Sequence, residues 1–110
     1  MSAQPLQPFG QRVLPTVWHA EHEGGHWAAG GLRPLAAVPV PVAGGTVQYA
    51  LSVFEGLKAY RDTVDGAHLF RVADHARRLQ ASARRLALPA VPEALFVTAC
   101  RDLVRAVAAE

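Results

Sequence analysis

The 110-residue chain has a single cysteine, Cys100, so an internal disulfide is excluded and a reducing, cytoplasmic setting is the default expectation. It has a single lysine, Lys58, against ten arginines, a skew that with the many alanines fits a GC-rich coding bias. No apolar run approaches the roughly 18 residues of a membrane helix. The N-terminus "MSAQPLQPFG" lacks the basic start and apolar stretch of a secretory signal. Net charge is +2, too small to demand a polyanionic partner. Aromatics make up only 7% of the chain, and the arginine-rich stretch from Arg71 to Arg85 carries none, so a nucleic-acid face is not expected. The glycine pairs Gly24-Gly25, Gly30-Gly31 and Gly44-Gly45 fit neither GxxxxGK[ST] nor GxGxxG and read as turns.

What is present is the composition of a globular domain, 51% apolar and 18% charged. Residues 1–12 are polar and proline-bearing and read as a loose arm; residues 13–110 read as one folded unit. "VLPTVW", from Val13 to Trp18, suits a short strand whose Pro15 places it at an edge. "LAAVPVPVAGG" carries two prolines and suits an extended segment. "TVQYALSVF" allows one or two helical turns. In "EGLKAYR", Leu57 and Ala59 alternate with Lys58 and Tyr60, which predicts a strand. With "HLFRV" beyond the turn dipeptide Asp65-Gly66 it forms a hairpin, Leu57–Arg61 against His68–Val72.

Two helices complete the pattern. Ala76, Leu79, Ala83 and Leu86 recur at spacings of three and four, with Asp74 as the expected N-cap. "LPAVP" breaks that helix, and a second is expected to open at Pro92 and to bury Leu95, Phe96, Ala99, Leu103, Val104 and Val107. The fold class is therefore α/β of the segregated α+β kind, a β-hairpin followed by two helices.

The candidate chemistry is sparse. His19, His22 and His26 lie near Glu21 and Glu23, but the spacing is not HExxH, and a solvated turn is expected instead of a metal site. Cys100 falls on the inward half of the last helix with no base placed beside it, so it reads as a small buried hydrophobe. Arg78 stands early in a helix that follows a strand; a guanidinium there can meet a phosphate with paired N–H donors, or remain a solvated arginine.

"QYALSVFEGLKAYR", then "DGAHLFR", then "HARRLQASARRLALPAVPEALFVTACRDLVRA" resembles the N-terminal part of branched-chain amino-acid aminotransferases, pyridoxal-phosphate enzymes of fold type IV. The likeness is nearly continuous from Tyr49 to Arg105; Phe9-Gly10 and the tryptophans Trp18 and Trp27 fit the longer arm of the same group. Three positions depart from the family pattern: Gln48 stands for its histidine, Ala50 for its glycine, and Val72 for its proline. The resemblance implies that residues 13–110 are a partial, incomplete small N-terminal domain of a two-domain enzyme, without its larger cofactor-lysine domain. The cofactor, pyridoxal 5'-phosphate, would lie between the domains near a homodimer interface. It implies that Arg78 binds the cofactor phosphate, and that Tyr49 and Phe54 line the pocket for the substrate side chain, with Lys58 on the matching strand.

Family members transfer the amino group of leucine, isoleucine or valine to 2-oxoglutarate. The resemblance places the Schiff-base lysine beyond residue 110, so no catalytic residue is expected in this chain and no activity from it alone. The alternatives are a stand-alone, non-catalytic binding protein on the same scaffold, or another fold-type IV enzyme such as a D-amino-acid aminotransferase or an aminodeoxychorismate lyase.

Overall fold

The computed structural model of the protein describes Pro8, residues 10–62 and residues 66–108. Most of the arm expected at residues 1–12, Phe9 and the turn residue Asp65 lie outside the described residues. The elements run β1 (Thr16–His19), β2 (His22–Glu23), β3 (His26–Trp27), β4 (Gly31–Pro34), a 3-10 turn (Leu35–Ala37), α1 (Gly45–Tyr49), β5 (Ala59–Asp62), β6 (Gly66–Leu69), α2 (Val72–Arg85) and α3 (Glu93–Val107). The strands pair in three antiparallel two-stranded ladders: β1 with β4, β2 with β3, and β5 with β6. This is an α+β chain of small strand pairs and two main helices.

A two-residue turn at Gly24-Gly25 joins β2 to β3. Both residues have positive φ, +60° and +82°, the geometry that favours glycine in a tight hairpin. The other two glycine pairs are not turns of that kind. Gly31 opens β4, and Gly30 lies under the Trp18 ring, where an added Cβ would come within 2.1 Å of it. Gly44 caps α1 and Gly45 begins it.

The tryptophans fasten these N-terminal strands to the helices. Trp18 Nε1 donates to Asp102 Oδ2 on α3 at 3.3 Å, and Trp27 Nε1 donates to the carbonyl of Ala90 between α2 and α3 at 3.1 Å. Gln80 Nε2 donates to the Val91 carbonyl and ties α2 to the same connection.

The late hairpin forms in a shifted range. The expected pairing of Leu57–Arg61 with His68–Val72 is corrected to Ala59–Asp62 with Gly66–Leu69, in the register Ala59↔Leu69 and Tyr60↔His68. The cause is Arg71, whose left-handed backbone (φ +54°) turns the chain out of the strand and makes it the N-cap of α2. Val72 is therefore helical. Asp74 is not the N-cap but lies inside the first turn, where a carboxylate still complements the helix dipole. It accepts from Arg71 Nε at 2.6 Å and from Arg77 Nη1 at 2.8 Å.

Ala76 and Ala83, two helical turns apart, are the fully buried side chains of α2, and their small size lets α3 approach closely. Leu79 is half-buried, but Leu86 is exposed because the helix has ended before it. The end is a Schellman motif: Leu88 N–H donates to the Ala83 carbonyl and Ala87 N–H to the Arg84 carbonyl, with Ala87 at φ +55°. Helix α3 begins one residue later than expected. Pro92 is its N-cap, with extended backbone, and its carbonyl accepts from Phe96. The six residues expected to face inward on α3 are half-buried.

The chain exposes 8730 Å². The scaling of accessible surface with mass puts a compact monomer of this size at roughly 5,900 Å². Its radius of gyration is 15.5 Å, against about 13 Å for a compact chain of similar length. Large apolar side chains stand in solvent, among them Tyr49, Phe54, Tyr60 and Phe70.

Candidate functional site

The segment from Val53 to Lys58 is extended without pairing to a strand, and its burial alternates. Val53, Glu55 and Leu57 point inward, whereas Phe54, Gly56 and Lys58 point outward. This register places a carboxylate among apolar neighbours. The Glu55 side chain is only 4% exposed, and a charge so covered requires partners.

The partners come from α2, where His75 and Arg78 share one helix face. Arg78 Nε donates to Glu55 Oε2 at 2.7 Å, and Arg78 Nη2 donates to Glu55 Oε1, closing a two-bond fork. His75 Nδ1 lies 3.0 Å from the same Oε1. Hydrogen bonds from Arg78 first and His75 second pull the Glu55 carboxyl down to a pKa of about 2. The same pairing raises the Arg78 guanidinium above its ordinary value.

Arg78 is itself 67% exposed and opens onto a shallow cavity of ≈ 320 Å³ lined by Phe70, Arg71, Asp74, His75 and Arg78. Three cationic or potentially cationic side chains thus meet at the start of α2, with Asp74 tied to Arg71 and Arg77. Asp74 is held below the usual carboxylate range by the bond from Arg71. A guanidinium carries five N–H donors. Glu55 engages Nε and Nη2, which leaves the Nη1 donors outside the fork.

The sequence-derived site residues separate into two groups. Arg78 is gathered with Glu55 and His75, neither of which the sequence singled out. Tyr49, Phe54 and Lys58 do not join that cluster: among the described residues no hydrogen bond or ring contact links them to Arg78. Tyr49 ends α1 and is 85% exposed; Phe54 is 87% exposed on the face opposite Glu55, and Lys58 is exposed on the same outward side. Phe70 connects the Arg78 cavity to the β5–β6 hairpin. It lines the Arg78 cavity and meets Tyr60 of β5 edge to face, with centroids 6.4 Å apart. The signal for Glu55 was its inward parity between Val53 and Leu57, together with the histidine and arginine three residues apart on the next helix.

Elsewhere the geometry is quiet. His19 Nε2 lies 3.7 Å from Glu21, but no group of three or more metal-ligating side chains forms among the described residues. Cys100 is half-buried, and that burial raises its thiol above the ordinary value. No helix is long and apolar enough to cross a membrane, among the described residues.

No family model matches the chain. It is 39% identical over 87 residues to a branched-chain-amino-acid aminotransferase of Helicobacter pylori (strain J99), covering 79% of this chain and 26% of the relative. It is 42% identical over 96 residues to a probable branched-chain-amino-acid aminotransferase of Streptomyces coelicolor, covering 87% of this chain and 26% of the relative. A third, from Haemophilus influenzae, is 38% identical over 87 residues, with 79% and 25% covered. The chain thus spans about a quarter of the length of the curated relatives it matches. Over most of its residues it is similar to branched-chain-amino-acid aminotransferases.

Proposed function

We propose that the chain is the N-terminal segment of a branched-chain amino-acid aminotransferase, the part that presents a phosphate anchor and one wall of the substrate pocket. The observation that carries this reading is the forked Glu55–Arg78 pair at the mouth of a cavity lined also by Arg71, Asp74 and His75, in a stretch similar to such enzymes. The donor set fits a phosphate dianion: an arginine with its plane fixed and N–H groups to spare, beside Arg71 and His75. Nothing among the described residues fits the rest of the cofactor. Lys58, the sole lysine, lies on the face opposite Glu55.

In this reading Arg78 would hold the phosphate of pyridoxal 5'-phosphate, and the bound cofactor would supply the electron sink for amino transfer. Phe54 and Tyr49, both free of the core, offer an apolar wall to a branched side chain, with Lys58 on the same outward side as Phe54. The lysine that bonds the cofactor and the carboxylate at its ring nitrogen belong to the remainder of the enzyme, so this chain alone does not transaminate. The complete enzyme works in the cytoplasm as a homodimer, moving the amino group of leucine, isoleucine or valine to 2-oxoglutarate.

The test is to assay the purified chain with pyridoxal phosphate, leucine and 2-oxoglutarate, and then the chain fused to the remaining three quarters of one relative. Glutamate is expected from the fusion and not from the chain alone. Glutamate formed by the chain alone and retained in Lys58→Ala would overturn the assignment of catalysis to the remainder.

A further inference from the structure

We infer that Glu55 is a positioning residue for the anion site at Arg78, fixing the plane of its guanidinium, with His75 steadying the carboxylate at Oε1; this deepens the reading above and rests on it. An arginine on an exposed helix face samples many rotamers, and fixing one costs entropy when a ligand arrives. Here that cost is met beforehand. Glu55 cannot wander, because its side chain is 4% exposed and points inward from an extended segment between Val53 and Leu57. Its Oε2 takes the Arg78 Nε bond at 2.7 Å, and its Oε1 takes both the Nη2 bond and His75 Nδ1. Two parallel bonds set the orientation of a planar group in a way one cannot. Arg78 lines the cavity together with Phe70, Arg71, Asp74 and His75, and Glu55 leaves its Nη1 unengaged.

Two effects of Glu55 on an incoming anion oppose each other. Its negative charge offsets that of Arg78 and weakens the attraction. Its grip preorganises the donors and strengthens binding. The arrangement favours the second. The carboxylate takes the Nε–Nη2 edge of Arg78, and the anion is assigned to the rest of the guanidinium; Arg71 in the same cavity is already paired with Asp74, so the gain from Glu55 is one of orientation rather than of added charge. Glu55→Gln makes the two effects distinguishable by sign, because its amide turns an N–H toward an arginine N–H and breaks the fork while removing the charge.

The experiment titrates the chain with inorganic phosphate and, separately, with pyridoxal phosphate, followed by phosphorus NMR; the Arg78 Nε–H resonance is read by nitrogen NMR. Wild type is expected to bind both probes and to show a slowly exchanging Arg78 Nε–H. Arg78→Ala is expected to lose binding. Glu55→Gln is expected to weaken it about tenfold with loss of the Nε–H signal, and Glu55→Asp to fall between. If Glu55→Gln does not fold, Glu55→Asp decides, and affinity equal to wild type in that variant overturns the inference. Binding by Glu55→Gln equal to or tighter than wild type overturns it too, while leaving Arg78 as the anchor. Wild-type binding that ignores Arg78→Ala sinks both this inference and the phosphate-anchor reading beneath it.

Discussion

Arg78 of α2 and Glu55 of the extended segment, 23 residues apart in sequence, meet as two forks, with Nε 2.7 Å from Oε2. This pair ties the extended segment before β5 to the first turns of α2. It is also expected to contribute to how the fold responds to acid.

Glu55 is ionised down to about pH 2, well below its ordinary 4.5. A carboxyl whose folded value is lowered contributes stability above its unfolded value and loses it as the pH falls through the folded one. The melting temperature should therefore decline between about 4.5 and 2, with Asp74, also lowered, acting in the same direction. Thermal melts of wild type and Glu55→Gln across this window should converge at the acid end. Parallel profiles would show that the pair is not formed in solution.

Two alanines occupy left-handed backbone, Ala50 at φ +54° after α1 and Ala87 at φ +55° in the Schellman motif after α2. The left-handed region costs a non-glycine residue roughly 1–2 kcal/mol. Glycine's greater freedom in the unfolded chain returns about 0.4–1 kcal/mol of that. Ala50→Gly and Ala87→Gly are each expected to stabilise the fold by about 0.5–1 kcal/mol in urea denaturation. Destabilisation by either would place that residue outside the left-handed region.

Gly30 has the opposite need. A Cβ there would lie 2.1–2.7 Å from three atoms of the Trp18 ring. Gly30→Ala is expected to cost about 1–3 kcal/mol, as overpacking does, and to displace the indole from Asp102. The check is the indole N–H resonance of Trp18 together with fluorescence-monitored unfolding. An unshifted resonance and unchanged stability would mean that the ring does not cover Gly30.

The parts of this fold that local pattern controls were legible in the sequence. Alternation around Tyr60 gave a hairpin, and the spacing of Ala76, Leu79 and Ala83 gave α2. Its limits were less legible, because one left-handed residue, Arg71, ends the strand and starts the helix, and nothing in an arginine announces that backbone. Arg78 was legible only as an arginine early on a helix after a strand, placed to meet a phosphate or to stay solvated, and the resemblance alone implied the first. Glu55 carried only a faint signal, its parity with Val53 and Leu57, since its importance comes from a partner on another element that only the folded chain brings near. The exposure of Tyr49 and Phe54 was also hidden, because apolar residues in a sequence read as core until the fold leaves them outside.

The most direct test of the central claim replaces the matching 96-residue stretch of the Streptomyces coelicolor relative with this chain and measures glutamate formed from leucine and 2-oxoglutarate. The account expects an active, pyridoxal-phosphate-dependent chimera, with Arg78→Ala lowering kcat/KM at limiting cofactor by about a hundredfold, as loss of a charge-assisted anchor should. A folded chimera without activity, or one whose cofactor requirement is untouched by Arg78→Ala, would contradict it.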